Sequence, residues 1–407
     1  MKGQQTLGVA KRKNNVFDFC VVGGGMVGSA MALGLAKFGF KVAIIEPCMP
    51  VPFEPQQPPD MRVSAISLTS QTLLQDLGVW AEIQNMRLCP YKRLSVWDKP
   101  SCRTDFDCSA IEQPHLGHII ENRLVQLGLH TVIGTDPQVV FYKGLKVTNI
   151  TSTDVSNITL EDGQIIAAKM LIGADGGHSA VRDAANIGVQ GWQYAQQALG
   201  IQIKTYEVQQ DITWQQFTPE GPMAFLPLYD GFASLVWYHS AADIQHLKSL
   251  SKAKLKQHIV QHFPADLVDF EVLDVASFPL TRMHANQYFK GNTVVIGDAA
   301  HTINPLAGQG VNLGFKDVAA LLSVIRDELA TNDRSAVLQP SHYNHWLQQY
   351  QVARRRDNLV MMSAMDLLYS TFSNNNMPLK LLRNLGLKLA NHAGPIKNNA
   401  MKYAMGL

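Results

Sequence analysis

Cysteine is scarce and shows no pairing pattern. The five residues, Cys20, Cys48, Cys89, Cys102 and Cys108, are odd in number and include no CxxC spacing. That argues against a disulfide framework and for a reducing compartment. Charge is sparse too, at 17% of residues with a net of +2, so no basic field recruits nucleic acid. Long apolar runs are missing: no window approaches the roughly 18 residues of a spanning helix. The amino terminus carries Lys2, Lys11, Arg12 and Lys13 without the apolar stretch of a secretory signal. From these absences we expect a cytoplasmic protein, soluble or peripheral on the inner face of the cytoplasmic membrane. No GxSxG elbow occurs, and no cysteine sits in a nucleophile motif. The pairs His115/His118 and His342/His345 have i,i+3 spacing. No third ligand accompanies either pair, so both read as structural and no metal is expected.

What the chain does have is apolar bulk, 46% of 407 residues, which favours two domains over one core. The stretch "VVGGGMVGSAMALGLAKFGFKVAIIE" runs from Val21 to Glu46. It reads as an apolar strand, a glycine turn, a small-residue helix, a second strand and a terminal acid. Gly23, Gly25 and Gly28 fit GxGxxG. The first permits a tight turn, the second a close approach of pyrophosphate, the third close packing of helix on sheet. The helix start offers free N–H groups and partial positive charge to phosphates. Glu46, about twenty residues on, suits an adenosine ribose. This stretch alone does not separate FAD from NAD.

Two later segments repeat the pattern of a strand that ends in a glycine–aspartate turn. In "KMLIGADGGHSAVR" (Lys169 to Arg182), Asp175 follows an apolar strand and Ser179 can cap the next helix. In "NTVVIGDAAHTINPLAGQGVNLGFKDVAAL" (Asn292 to Leu321), Asp298 ends a strand, and a loop delivers Pro305, Gly308, Gln309 and Gly310 to a long helix. A bare helix start beside a cofactor ring would stabilise negative charge on it. His301 in this loop is a weak candidate proton donor and a better candidate for holding the loop through hydrogen bonds.

The trio GGGMVG, GADGGHSAVR and GDAAHTINPLAGQGVNLG, in this order and spacing, resembles the p-hydroxybenzoate-hydroxylase-like single-component FAD monooxygenases. "RVSAIS" from Arg62, "WQYAQ" from Trp192, "FPLTR" and "MDLLYSTFSNN" look like the ubiquinone-biosynthesis hydroxylase branch. The resemblance implies FAD, with Glu46 on the adenosine ribose, Asp298 on the ribityl chain and Gly308 to Gly310 at the pyrimidine edge. It puts Arg62 and Gln126 near the cofactor, and Asp175 and Arg182 in a motif for FAD and a transient NAD(P)H. It implies hydroxylation of a polyprenyl methoxy-methyl benzoquinol by O2 through a flavin C4a-hydroperoxide. The rivals are a hydroxylase of another polyprenyl phenol of that pathway, an isoprenoid flavin reductase, and a non-catalytic lipid-binding scaffold flavoprotein. One departure from the family pattern is visible. Gly128 falls where a helix should follow Asn122, so that helix is expected to be short.

The expected fold is α/β. A Rossmann-like FAD-binding domain (14–90, 115–190 and 277–345) is interleaved with an α+β, antiparallel-sheet substrate domain (91–114 and 191–276). C-terminal helices (346–407) follow. "MAFLPLYDGFASLVWY" reads as a hairpin through Asp230-Gly231. Trp214, Phe217, Phe225, Trp237 and Tyr238 are expected on that sheet, where as a set they would suit a quinol ring and an isoprenoid tail. Each alone is more readily sheet core; only the set, beside a flavin, points to a substrate. From Met377 to Leu407 there is no acid, and Lys380, Arg383, Lys388, Lys397 and Lys402 lie among apolar residues. A basic amphipathic helix there suits an anionic bilayer, a packing surface, or a contact with other ubiquinone-biosynthesis proteins.

Overall fold

Phe17–Val22 forms the first strand, β1, in a computed structural model that describes residues 16–304 and 310–372. Its apolar run is buried from Phe19 to Val22 because parallel neighbours flank it on both edges. Helix α1 (Met26–Lys37) and β2 (Val42–Glu46) complete the opening unit. There follow β3 (Val63–Ser67), α2 (Leu68–Asp76), α3 (Trp80–Met86), β4 (Cys89–Tyr91), β5 (Arg93–Trp97) and β6 (Thr104–Asp107). Next come β7 (Gly117–Glu121), α4 (Asn122–Ile133), β8 (Val139–Lys143), β9 (Val147–Ser152), β10 (Ser156–Leu160), β11 (Ile165–Gly173) and α5 (Ala180–Ala184).

The strand order β17-β18-β11-β1-β2-β8 defines the first sheet, with β10 on β11 and β9 on β10. Its edge strands β17 (Phe289–Lys290) and β18 (Thr293–Val295) arrive more than a hundred residues after β11. The long helix α8 (Gly310–Leu329) packs back onto α1, where a Cβ on Gly34 would meet Leu322 at 2.2 Å. A small three-stranded sheet, β3-β7-β4, lies beside this layer.

The short helix expected after Asn122 is a full one: α4 runs 12 residues without interruption. Gly128 lies on its buried face, where a Cβ would come within 2.9 Å of Ile83 and 3.3 Å of Val79. Close packing of α3 on α4 thus offsets the roughly 1 kcal/mol that glycine costs in a helix.

The second large sheet has the order β19-β16-β12-β15-β14-β13-β5-β6. It uses β12 (Val189–Thr205), β13 (Ile212–Gln216), β14 (Met223–Pro227), β15 (Phe232–Ser240), β16 (Phe270–Ala285) and β19 (His301–Thr302). The hairpin between β14 and β15 turns through Asp230 and Gly231, at φ 49° and 70°, as the Asp-Gly pair demands. Helices α6 (Ala241–Ser249) and α7 (Lys252–His262) cover one face. Strand alternation decides which side chains they cover. Leu199 pairs with Trp237, and Trp214 with Phe225. All four join Ile244, Leu247, Leu255 and Ile259 in one buried cluster. Trp214, Phe225 and Trp237 are therefore core beneath the helices. Phe217 and Tyr238 cluster instead with Ala198 and Leu280 on the opposite, inner face.

Helices α9 (Arg334–Val337) and α10 (Pro340–Phe372) close the described chain. The expected basic helix from Met377 onward lies outside the described residues. Among those described, no helix is long and apolar enough to cross a membrane.

Candidate functional site

The glycine turn after β1 is built by exclusion of side chains. Gly23 has φ +102°, and a Cβ there would lie 2.3 Å from the Ala174 carbonyl oxygen. A Cβ on Gly28 would meet the Gly23 carbonyl oxygen at 1.9 Å. Around Gly25 the opposite holds, for a Cβ would meet nothing within 4 Å. Gly25 is the N-cap of α1 with no side-chain cap. Open space in front of uncapped backbone N–H groups fits a phosphate.

Between them, Gly24 is held on both sides. Its N–H donates to Glu46 Oε2 at 2.7 Å. Its carbonyl accepts from Ser29 Oγ at 2.9 Å, Gln126 Nε2 at 2.9 Å and His130 Nε2 at 2.7 Å. Glu46 also accepts from the Cys48 N–H at 2.7 Å. Each carboxylate oxygen keeps a second acceptor direction, so Glu46 can both hold the turn and receive ribose hydroxyls. Gln126, expected beside the cofactor, acts on the turn through Gly24. Gly24, Ser29 and His130 were not legible as site residues. The available signal was His130 one turn beyond Gln126, on the same face of α4.

The second segment spends its polar groups internally. Asp175 accepts from Ser179 Oγ at 2.5 Å and from the Val181 N–H at 3.2 Å. Burial pushes its carboxyl upward against those bonds. Arg182, 6% exposed, donates to the carbonyls of Gly177 at 3.0 Å and Ala299 at 3.2 Å. It ties the second motif to the third, and its Nε is buried with no hydrogen-bond partner among the described residues.

In the third segment Asp298 keeps contact with solvent and has no side-chain hydrogen-bond partner among the described residues. The protein packed around it pushes its carboxyl up, while His301 and Arg62 pull it down. His301 is 2% exposed and bonded through Nε2 to Asp317 Oδ2 at 2.5 Å. Asp317, on α8, also accepts from the Gly297 N–H at 3.0 Å, Arg354 Nε at 2.8 Å and Asn358 Nδ2 at 3.2 Å. Burial pushes the Asp317 carboxyl up, but His301 and Arg354 outweigh it and hold it at about 2. His301 is thus a brace for the Asp298 loop, committed to Asp317. Gly310 opens α8 with nothing within 4 Å of a Cβ; Pro305, Gly308 and Gln309 lie outside the described residues.

Arg62 is exposed, with its guanidinium 5.5 Å from the Phe278 ring centroid. It is delivered by a segment with six prolines between Pro47 and Pro59, which two buried arginines hold by its carbonyls. Arg87 pairs with Glu121 at 2.7 Å and donates to Gln57 at 2.8 Å and Pro58 at 3.3 Å. Arg123 donates to Val51 at 3.0 Å and Pro52 at 3.1 Å.

The open turn at Gly25, the acceptor at Glu46 and the unpaired carboxylate at Asp298 together fit the phosphates, ribose and ribityl hydroxyls of FAD. Residues 17–345 match the family model described as an FAD binding domain. Over 395 residues the chain is 46% identical to 3-demethoxyubiquinol 3-hydroxylase of Escherichia coli K12, covering 97% of this chain and 100% of that one.

This chain belongs to the FAD-dependent monooxygenase family.

The monooxygenase is also 32% identical over 442 residues to the mitochondrial ubiquinone biosynthesis monooxygenase COQ6 of Homo sapiens, at 96% and 93% coverage. Its fold is similar to that of p-nitrophenol 4-monooxygenase from Pseudomonas putida DLL-E4, with a TM-score of 0.76 at 17% identity. That likeness covers 96% of this chain and 98% of the other. The inner face of the monooxygenase's antiparallel sheet is the surface nearest the Arg62 segment. A Cβ on Gly200 would lie 3.3 Å from Phe278 and 3.6 Å from Met61. Gly200, Val236 and Tyr238 share this face through the pairs Gly200–Val236 and Ala198–Tyr238.

Proposed function

We propose that this monooxygenase hydroxylates the ring of a polyprenyl methoxy-methyl benzoquinol in ubiquinone biosynthesis, consuming O2 and a transient NAD(P)H. The reading rests on the 46% identity to a 3-demethoxyubiquinol 3-hydroxylase along nearly the whole of both chains. The start of α1 at Gly25 would hold the pyrophosphate, Glu46 the adenosine ribose and Asp298 the ribityl chain. Bound FAD, once reduced, supplies the activation of O2. The protein supplies placement and a dry site. Met61 and Phe278 pack against the inner sheet face at Gly200. A quinol suits this chemistry because its free hydroxyls enrich the ring carbon that is attacked. A single GxGxxG supports a nicotinamide that visits without a second Rossmann unit. The division into a cofactor part (14–90, 115–190, 277–345) and a substrate part (91–114, 191–276) belongs to this reading.

Contact of Lys380, Arg383 and Lys388 with an anionic bilayer would bring the enzyme to a lipid substrate. Liposome sedimentation with the triple Gln variant tests it, and equal binding by both proteins would refute it. The hydroxylation itself is tested with isotopically labelled O2. The enzyme with FAD, NAD(P)H and the quinol should place one labelled atom in the product. Unlabelled product, or hydrogen peroxide alone, would overturn the reading. Labelling of a different pathway phenol would move the step and keep the chemistry.

A further inference from the structure

Asn304 is 1% exposed, and its Nδ2 has no hydrogen-bond partner among the described residues. Its Oδ1 accepts from the Tyr238 hydroxyl at 3.2 Å. Turning the amide over would move the deficit to the oxygen and not remove it. Buried amide groups are paired in the great majority of folded proteins; among the described residues Asn304 Nδ2 is one of seven buried side-chain atoms left unpartnered, and it lies where the third cofactor segment meets the sheet.

Its position is specific. Asn304 is six residues past Asp298 and six before Gly310, at the point where the third cofactor segment touches the antiparallel sheet. Tyr238 is 3% exposed on the inner face of that sheet, the face that carries Gly200 and Val236. The surroundings are apolar or neutral: Phe217, Val236, Met365 and Tyr369 pack in the same cluster. The neighbours that act electrostatically on Tyr238 are two tyrosines, Tyr194 and Tyr369. Arg282 lies close by, but Asp366 neutralises it at 2.7 Å. The Arg62 guanidinium lies over Phe278 on the same face. A neutral ring oxygen would find an amide N–H.

We propose that Asn304, oriented by the Tyr238 hydroxyl, binds one ring oxygen of the substrate. This rests on the proposed hydroxylation of a benzoquinol and adds the group that recognises it. Tyr238 acts through Asn304 and is a positioning residue.

The test uses the FAD-loaded full chain, without oxygen or NAD(P)H, and reads binding from the change in flavin absorbance. The ligands are a short-tail methoxy-methyl benzoquinol and its two mono-O-methyl ethers. Wild type should bind the quinol about tenfold or more tighter than one of the two ethers, because a buried amide left facing a methyl group loses its bond. In Asn304→Leu that preference should vanish, with FAD content and Tm retained. Tyr238→Phe should reduce the preference by a smaller factor, and it stands in if Asn304→Leu fails to fold. An unchanged preference in both variants overturns the proposal. If the wild type incorporates labelled oxygen while the variants keep the preference, only this inference fails. If the wild type neither binds the quinol nor labels it, the reading of the function fails with it.

Discussion

The glycine turn and the antiparallel sheet hold their ligand-facing groups in opposite ways. At the turn, almost every polar atom is assigned: the Gly24 carbonyl takes three donors, and Glu46 takes two backbone N–H groups. On the sheet, the inner face carries isolated side-chain bonds, Gln202 to Pro59, Tyr194 to Asp366 and Tyr238 to Asn304, among packed apolar groups. A diphosphate needs fixed donors, whereas an apolar ring needs a flat dry surface with one polar anchor. The energy that holds each region differs accordingly, polar networks on one side and packed aromatics on the other.

The two largest predicted effects set these sources against each other. Trp237→Ala should cost about 3–5 kcal/mol of stability, as removal of a buried indole does, measured by chemical denaturation. Quinol affinity of the folded fraction should not change, because Trp237 faces α6 and α7. A selective loss of quinol binding would return Trp237 to the substrate pocket. On the polar side, Asp317→Ala should cost about 3–5 kcal/mol, since it leaves His301 and Arg354 buried without their carboxylate. Asp317 is held at about 2, below the ordinary aspartate near 3.8. Its contribution is present above the unfolded value and lost as pH falls from about 4 to 2. Acid denaturation of wild type should be steep in that window, and that of the variant flatter.

These contrasts explain which parts were legible in the sequence. The turn was readable because Gly23, Gly25, Gly28 and Glu46 act through backbone shape within one βαβ unit, where spacing along the chain is spacing in space. The sheet was less legible because "ASLVWY" does not say which of its residues face the helices. That depends on pairing with β12 and on α6 and α7, so Trp237 and Tyr238, adjacent in sequence, have opposite surroundings. Gly128 misled for a related reason: its partner Ile83 lies 45 positions away. The Asp317 network joins α8 to His301 of β19 and to Arg354 and Asn358 of α10, and no local pattern announces it.

A middle-sized effect sharpens the assignment of Asp298. Asp298→Ala should weaken FAD binding by roughly 1.5–3 kcal/mol, the worth of a charge-assisted hydroxyl–carboxylate bond. Because Asp298 has no partner within the described protein, stability without FAD should hold or rise slightly. Titration of apo-protein with FAD, paired with denaturation of the same apo-protein, separates the two. Equal FAD affinity would mean that the ribityl chain lies elsewhere.

The smallest effect probes how over-determined the turn is. His130 is one of three donors to the Gly24 carbonyl, and an acceptor with two lone pairs cannot use three donors fully. His130→Leu should therefore cost only about 0.5–1.5 kcal/mol of FAD affinity, with Ser29 and Gln126 retaining the turn. Burial lowers the His130 pKa; the Gly24 bond opposes this and nearby Lys143 adds to it. Both protonation states can donate from Nε2. Protonation, however, places a hydrogen on Nδ1, which is buried without a partner. A histidine with a lowered folded pKa stabilises the folded state above its ordinary value near 6.5 and loses that contribution as pH falls below it. Folding stability of wild type should thus decline on acidification through pH 6, and that of His130→Leu should decline less. Parallel decline in both proteins would mean that the turn does not depend on the charge state of His130.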